Sequence, residues 1–123
     1  MEKIKTRKEL RVYQLSFKAG MEVYDLSKLF PREEVYSLTN QIRRSSRSVS
    51  GNLAEAWRKR RYPKSFVAKL SDSEGEAAET QVWLDYAFAC GYIDKESHKK
   101  LYDKYDHILG MLVNIIHPEK WTL

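Results

Sequence analysis

The chain has 123 residues, 42% of them hydrophobic and 32% charged, with 22 Lys and Arg against 17 Asp and Glu. That length suits one domain with its own core, and the apolar fraction excludes a disordered chain. A single cysteine, Cys90, excludes an internal disulfide framework and any multi-cysteine metal centre, while five Gly and three Pro disfavour a many-turned β-sandwich or barrel.

The periodicity is helical nearly throughout. In the first segment Leu10, Tyr13, Phe17, Met21 and Tyr24 recur at spacings of three and four. A second stripe (Val12, Leu15, Ala19, Val23, Leu26) runs beside it, so this helix should be covered on more than one side. Phe30-Pro31 ends it, and Pro31 or Arg32 opens the next helix with Glu33 and Glu34 near its positive end. The second helix carries Val35, Leu38, Ile42, Val49, Leu53 and Ala56, until Tyr62-Pro63 breaks the pattern. The third is marked by Phe66, Leu70, Ala77, Leu84 and Phe88, with Ala78, Gln81 and Ala87 beside them. Gly91 suits a C-cap and Asp94 an N-cap. A fourth helix then reads Leu101, Tyr105, Ile108, Leu112, Ile115, and His117-Pro118 stops it. Helices over about 8–30, 32–60, 63–90 and 94–117, with short connections, predict an all-α fold. The expected architecture is a single antiparallel up-down-up-down four-helix bundle filling residues 1–123. No apolar run approaches the roughly 20 residues that span a bilayer, and MEKIKTRKEL lacks a signal-peptide core, so a cytoplasmic protein without membrane contact is expected.

The charge is segregated along the chain. Residues 43–69 hold nine basic groups against Glu55 alone, a balance of +8, whereas residues 70–94 hold six carboxylates and no Lys or Arg. Such asymmetry can serve an anionic partner or pairing between neighbouring elements. On a helical wheel, Gln41, Ser45, Ser48, Asn52 and Glu55 form a ladder about 90° from the apolar stripe of the second helix. Arg43, Arg47 and Arg58 gather opposite that stripe, with Arg44 at the edge of the ladder. Serine lowers helix propensity, so a ladder of small polar groups is more than a solvated face requires. It reads either as a partly exposed face carrying serines, or as a helix–helix contact, within or between subunits, with Asn52 and Glu55 buried and satisfied.

The run QIRRSSRSVSGNLAEA (Gln41–Ala56) resembles the signature of the bacterial "four helix bundle protein" family, also called the large-subunit ribosomal RNA intervening-sequence protein family. Gln41, Arg43, Arg44, Ser45, Ser48, Val49, Asn52, Leu53, Ala54 and Glu55 match its pattern, and Ala56 departs from it where glycine is usual. The likeness extends to Leu26–Leu38, Gly75–Ile93 and His117–Trp121. It implies a four-helix bundle that assembles as a ring-like homo-oligomer, a pentamer, without enzyme activity. A more distant likeness, to the accessory protein of diversity-generating retroelements, implies an alternative role binding nucleic acid beside a reverse transcriptase.

Other chemistry finds little support. No Glu is followed three residues later by His, as a di-metal carboxylate bundle needs, and only Asp103 and His107 offer an i,i+4 metal pair. A metal-binding bundle is therefore the weaker alternative, and neither a cofactor nor a small-molecule substrate is expected. Cys90 sits in FACGYI, the setting of an inert buried thiol, and there is no glycine-rich phosphate loop. The basic cluster remains: Arg43, Arg44, Arg47, Arg58, Lys59, Arg60, Arg61 and Lys64, with Trp57 and Tyr62 available to stack on bases. Any such binding should be dominated by phosphate contacts; a solvated or salt-bridged face is the other reading. The function expected is a non-enzymatic, homo-oligomeric scaffold or adaptor that touches RNA or DNA through its second helix.

Overall fold

The computed structural model describes residues 4–116. Four α-helices occupy most of them: α1 (Arg11–Ser27), α2 (Leu38–Arg58), α3 (Pro63–Ala89) and α4 (Lys95–Ile116). Single 3-10 turns, Arg7–Glu9 and Arg32–Glu34, precede α1 and α2. Pro31 thus opens a 3-10 turn rather than the second helix, which begins at Leu38, six residues later than the sequence suggests. The stop of α4 expected at His117-Pro118 lies outside the described residues.

Each helix packs on its sequence neighbour, and α1 also closes on α4, so α1 and α3 stand on one diagonal of the bundle. The core takes Val12, Ala19 and Val23 from α1, and Ile42, Val49, Leu53 and Ala56 from α2. From α3 and α4 come Leu70, Ala77, Leu84 and Ala87, then Leu101, Tyr105, Ile108 and Leu112. Burying a side chain of this size contributes about 1.5–3 kcal/mol, so these rows fix which face of each helix points inward.

Two inward faces differ from expectation. On α1 the Val12–Ala19–Val23 row is buried, while Phe17 and Met21 of the larger aromatic row face outward. Small side chains let α1 approach α2 closely: a Cβ on Gly20 would stand 3.7 Å from the Ser46 carbonyl oxygen. The bulky row would hold the helices apart. Val35 and Phe88, placed by spacing on inward stripes, are also exposed, because Val35 precedes α2 and Phe88 sits in the last turn of α3.

The turn after α3 follows its caps. Gly91 has a φ of 78°, and its N–H donates to the Phe88 carbonyl while Tyr92 N–H donates to Ala87, a Schellman arrangement. Asp94 then accepts from Ser97 N–H at 2.7 Å, and that bond holds its carboxyl below the usual range. Cys90, the C-cap of α3, is exposed rather than buried, since the apolar context of FACGYI belongs to a turn at the bundle's end.

Candidate nucleic-acid interface

The α2 sequence alternates core residues with serines and arginines, and the bundle sorts them by direction. Arg43 reaches back to the end of α1, where its Nε donates to Ser27 Oγ at 2.7 Å and its guanidinium lies 4.7 Å from the Tyr24 ring centre. Arg47 approaches the same ring at 5.7 Å and Lys28 at 4.7 Å. An electron-rich ring face attracts cations, so Tyr24 gathers three positive charges at the junction of α1 and α2. Arg43 is therefore half-buried and held in place, while Arg44 and Arg47 are exposed. With Thr39, Asn40 and Ser48, the three arginines line a shallow concavity of about 580 Å³.

A second basic group forms where α2 ends. The Arg60 guanidinium stacks 3.9 Å from the Trp57 ring centre and donates to the Trp57 carbonyl at 2.7 Å, which satisfies a backbone oxygen in the last turn. Arg61 lies 5.9 Å from the exposed Tyr62 ring. Arg58, Lys59 and Lys64 are exposed around them. Arg60 and Trp57 also stand at the rim of an apolar cavity of about 630 Å³, walled by Leu10, Phe66 and Ile116. By helix geometry, Arg43 and Arg58 lie about 22 Å apart along the α2 axis, so the two groups form two stations on one edge.

The polar ladder divides between two environments. Ser45 is buried, its Oγ 2.8 Å from Thr80 Oγ1, and Ser73 Oγ donates to the Val49 carbonyl at 2.9 Å. These bonds make the ladder's start a contact between α2 and α3 inside one protomer. Gln41, Ser48 and Asn52 are half-buried, Asn52 beside Asp72, Glu76 and Glu79 of α3. The expectation of a buried Glu55 is corrected: its side chain is 55% exposed and pairs with Lys69 at 2.6 Å. At the rim of the seam the pair stays hydrated, which removes the desolvation cost a buried carboxylate would carry. Lys69 holds the Glu55 carboxyl below its usual range, and Glu55 raises Lys69 in return.

The acidic third helix forms no direct ion pair with the eight basic candidates among the described residues, and none of the eight lies within ion-pair distance of any other carboxylate there. Glu76 is held above the usual carboxylate range, chiefly by burial and next by Glu79, with Arg44 acting weakly in the other direction. Asp103 pairs with Lys99 at 2.7 Å rather than with His107, while His98 pairs with Asp85. No group of three potential metal ligands occurs among the described residues, and no described helix is long and apolar enough to cross a membrane.

What sequence reasoning missed is Tyr24. Its spacing placed it on an apolar stripe, and nothing in the sequence signals that two helices would bring Arg43, Arg47 and Lys28 to one ring.

A model of the 23S rRNA-intervening sequence proteins matches residues 8–114. The chain belongs to that family. A solved structure agrees: a protein of unknown function from the S23 ribosomal protein family of Bacteroides thetaiotaomicron VPI-5482 superposes with a TM-score of 0.79 at 27% identity. The match covers 86% of this chain and 98% of that one. No curated protein matches the chain. The intervening-sequence protein fold thus places the signature run Gln41–Ala56 entirely within α2. Ser45 of that run faces α3 and Ser50 faces Ser16 of α1, while its arginines face outward or toward Tyr24.

Proposed function

We propose that this intervening-sequence protein is a non-enzymatic cytoplasmic scaffold that assembles with copies of itself and holds nucleic-acid phosphates along the α2 edge. The observation that carries the binding reading is that none of the eight cations, which run from α2 through the following turn to Lys64 at the start of α3, forms an ion pair among the described residues. A basic edge serving only to neutralise α3 would be paired with it; here seven of the eight cations face solvent, and Arg43 is half-buried against Tyr24. Two stations separated by about 22 Å suit a backbone track better than a compact anion. Trp57 and Tyr62, already stacked on Arg60 and Arg61, add aromatic faces of the kind single strands use. Self-assembly draws on the outward row of α1, where Phe17 and Met21 are left uncovered, and on the pentameric ring that the resemblance implies.

Fluorescence anisotropy with a labelled single-stranded RNA and a DNA duplex, titrated at several salt concentrations, tests the binding. The expected result is sequence-independent affinity that falls steeply with salt and drops at least tenfold in Arg58→Gln/Arg60→Gln/Arg61→Gln. No binding at low salt, or a triple variant equal to wild type, overturns it. Light scattering tests the assembly: a particle of 14.5 kDa at micromolar concentration rejects it.

A further inference from the structure

Among the described residues, two helices of this bundle are apolar on a face that no other helix covers. On α1 the uncovered face is the row through Tyr13, Phe17 and Met21, with Phe17 55% and Met21 49% exposed. On α3 it is the row Gly75, Ala78, Val82, Tyr86 and Ala89, with Val82 46% and Tyr86 56% exposed. Successive members of each row are three or four residues apart, so each forms a continuous ridge rather than scattered contacts. Because α1 and α3 occupy one diagonal, the two ridges lie on opposite sides of the molecule.

The two faces differ in shape. Beside the α1 ridge runs a groove of about 430 Å³ whose floor is made of small residues: Gly20, Ser46, Ser50, Gly51 and Ala54. Gly51 has nothing within 4 Å of where a Cβ would stand, so the floor is open. The α3 face has the complementary form, a projecting row of Val82 and Tyr86 on a helix of small neighbours. One surface receives a helix and the other presents one.

They differ in charge in the same sense. The groove is bordered by Arg47 and by Arg7, whose guanidinium lies 5.6 Å from the Tyr13 ring centre. On a wheel Glu79 and Asp85 flank the α3 row on its two sides, each about 60° from Val82. No Lys or Arg occurs between residues 70 and 94 to offset them. Glu79 accepts from Trp83 Nε1 and Asp85 from His98, and both stay at the border of the ridge. Pairing either face with itself across a two-fold axis would set like charges together; pairing one with the other sets cation against anion.

We propose that copies of this chain assemble head to tail, the α3 ridge of one copy seating in the α1/α2 groove of the next. The inference rests on the self-assembly proposed above and assigns the two surfaces that carry it. A contact of this kind repeats through every copy, so it closes into a ring when the rotation between neighbours divides a full turn. It also leaves Arg44 and Arg58 of α2, with Lys59, Arg60 and Arg61 of the following turn, outside the contact, where successive copies would repeat them around the assembly.

Complementation between two surface variants tests the assignment. Phe17→Glu/Met21→Glu damages the groove and leaves the ridge; Val82→Lys/Tyr86→Lys damages the ridge and leaves the groove. Each variant alone is expected to lose the wild-type particle and run at 14.5 kDa by light scattering, with unchanged helical circular dichroism. An equimolar mixture is expected to form a two-chain complex, since one sound groove and one sound ridge remain. A ridge variant that keeps the wild-type mass, or a mixture of folded variants that stays monomeric, overturns the proposal. Should either double variant unfold, Arg47→Glu and Glu79→Arg/Asp85→Arg take its place: each should weaken assembly alone, and the combination in one chain should restore it. A wild-type monomer rejects the self-assembly reading itself, whereas wild-type assembly that survives the ridge substitutions rejects only this choice of surfaces.

Discussion

Ser45 Oγ and Thr80 Oγ1 lie 2.8 Å apart in the seam between α2 and α3, both side chains sealed from solvent. With one proton each, one hydroxyl donates across the seam while the other donates to its own helix carbonyl, Ser45 having Ile42 at 3.3 Å and Thr80 having Glu76 at 2.9 Å. Removing one hydroxyl leaves the other with a partner, so Ser45→Ala should cost only about 1 kcal/mol in urea denaturation. Ser45→Leu adds volume where two helices meet on small residues and should cost about 1–3 kcal/mol from overpacking. A double-mutant cycle with Thr80→Val separates the shared bond from the two carbonyl contacts.

Tyr105 presents the opposite case. Its side chain is fully buried, and among the described residues its hydroxyl has no hydrogen-bond partner. Burial pushes that phenol well above its usual range, with the Glu22 carboxylate adding to the effect. An unmatched buried hydroxyl costs about 1–3 kcal/mol, so Tyr105→Phe should raise stability by about that amount. Tyr105→Ala, which empties the ring's volume, should lower it by about 3–5 kcal/mol. Thermal and urea midpoints of the two variants should move in opposite directions.

The bond from Tyr92 Oη to Glu34 Oε2, 2.8 Å across 58 residues, ties the connection before α2 to the turn after α3. Bonds from Ser37 and then Tyr92 hold the Glu34 carboxyl below its usual range, and the same carboxylate pushes the Tyr92 phenol up to about 12. A lowered carboxyl contributes stability that is full above its unfolded value, about 4.3, and is lost as pH falls through the folded value. A raised phenol contributes stability that is full below about 10 and is lost as pH rises toward 12. Tyr92→Phe should therefore lower the urea midpoint by a constant amount between about pH 5 and 10, with the gap to wild type narrowing at both ends.

Glu76 should behave in the reverse sense. A carboxyl raised by burial and by Glu79 stabilises the fold in its protonated form, below about pH 4, and loses that contribution as pH rises through its folded value. Glu76→Gln should consequently raise the thermal midpoint at pH 7 and have no effect in acid. An equal effect at both pH values would mean that packing, not charge, sets the change.

The inward rows of α2 and α4 could be read from spacing because an amphipathic helix with one buried face leaves a period in its sequence. The caps at Gly91 and Asp94 were equally legible, since both rest on backbone geometry that few residues supply. On α1 two apolar rows compete, and the choice between them depends on how closely Gly20 lets α2 approach, which a single helix does not encode. The candidate site shows the same divide. The eight cations and the serine ladder stand out in the sequence, yet Tyr24 as the gathering point of Arg43 and Arg47, Glu55 at a hydrated rim and, among the described residues, the absence of ion pairs from those cations to α3 are tertiary facts.

The two basic stations should respond differently to substitution. Arg43 is half-buried, bonded to Ser27 and stacked on Tyr24, so Arg43→Gln removes packing between α1 and α2 together with a charge. It should lower the thermal midpoint and weaken RNA binding together. Arg58 and Arg61 are exposed, and among the described residues neither side chain donates a hydrogen bond or joins an ion pair that fixes the bundle. Arg58→Gln/Arg61→Gln should leave the midpoint within about 0.5 kcal/mol of wild type, as surface changes usually do. Its effect should appear in the salt dependence instead. Each lost phosphate contact flattens the slope of log affinity against log salt by about 0.7 for a single strand and about 0.9 for a duplex. A double variant that contacts two phosphates should thus lose about 1.4 from the single-strand slope. An unchanged slope with weakened affinity would place the loss in Tyr62 and Trp57 stacking rather than in charge, and Tyr62→Ala in the wild-type background would then reproduce it.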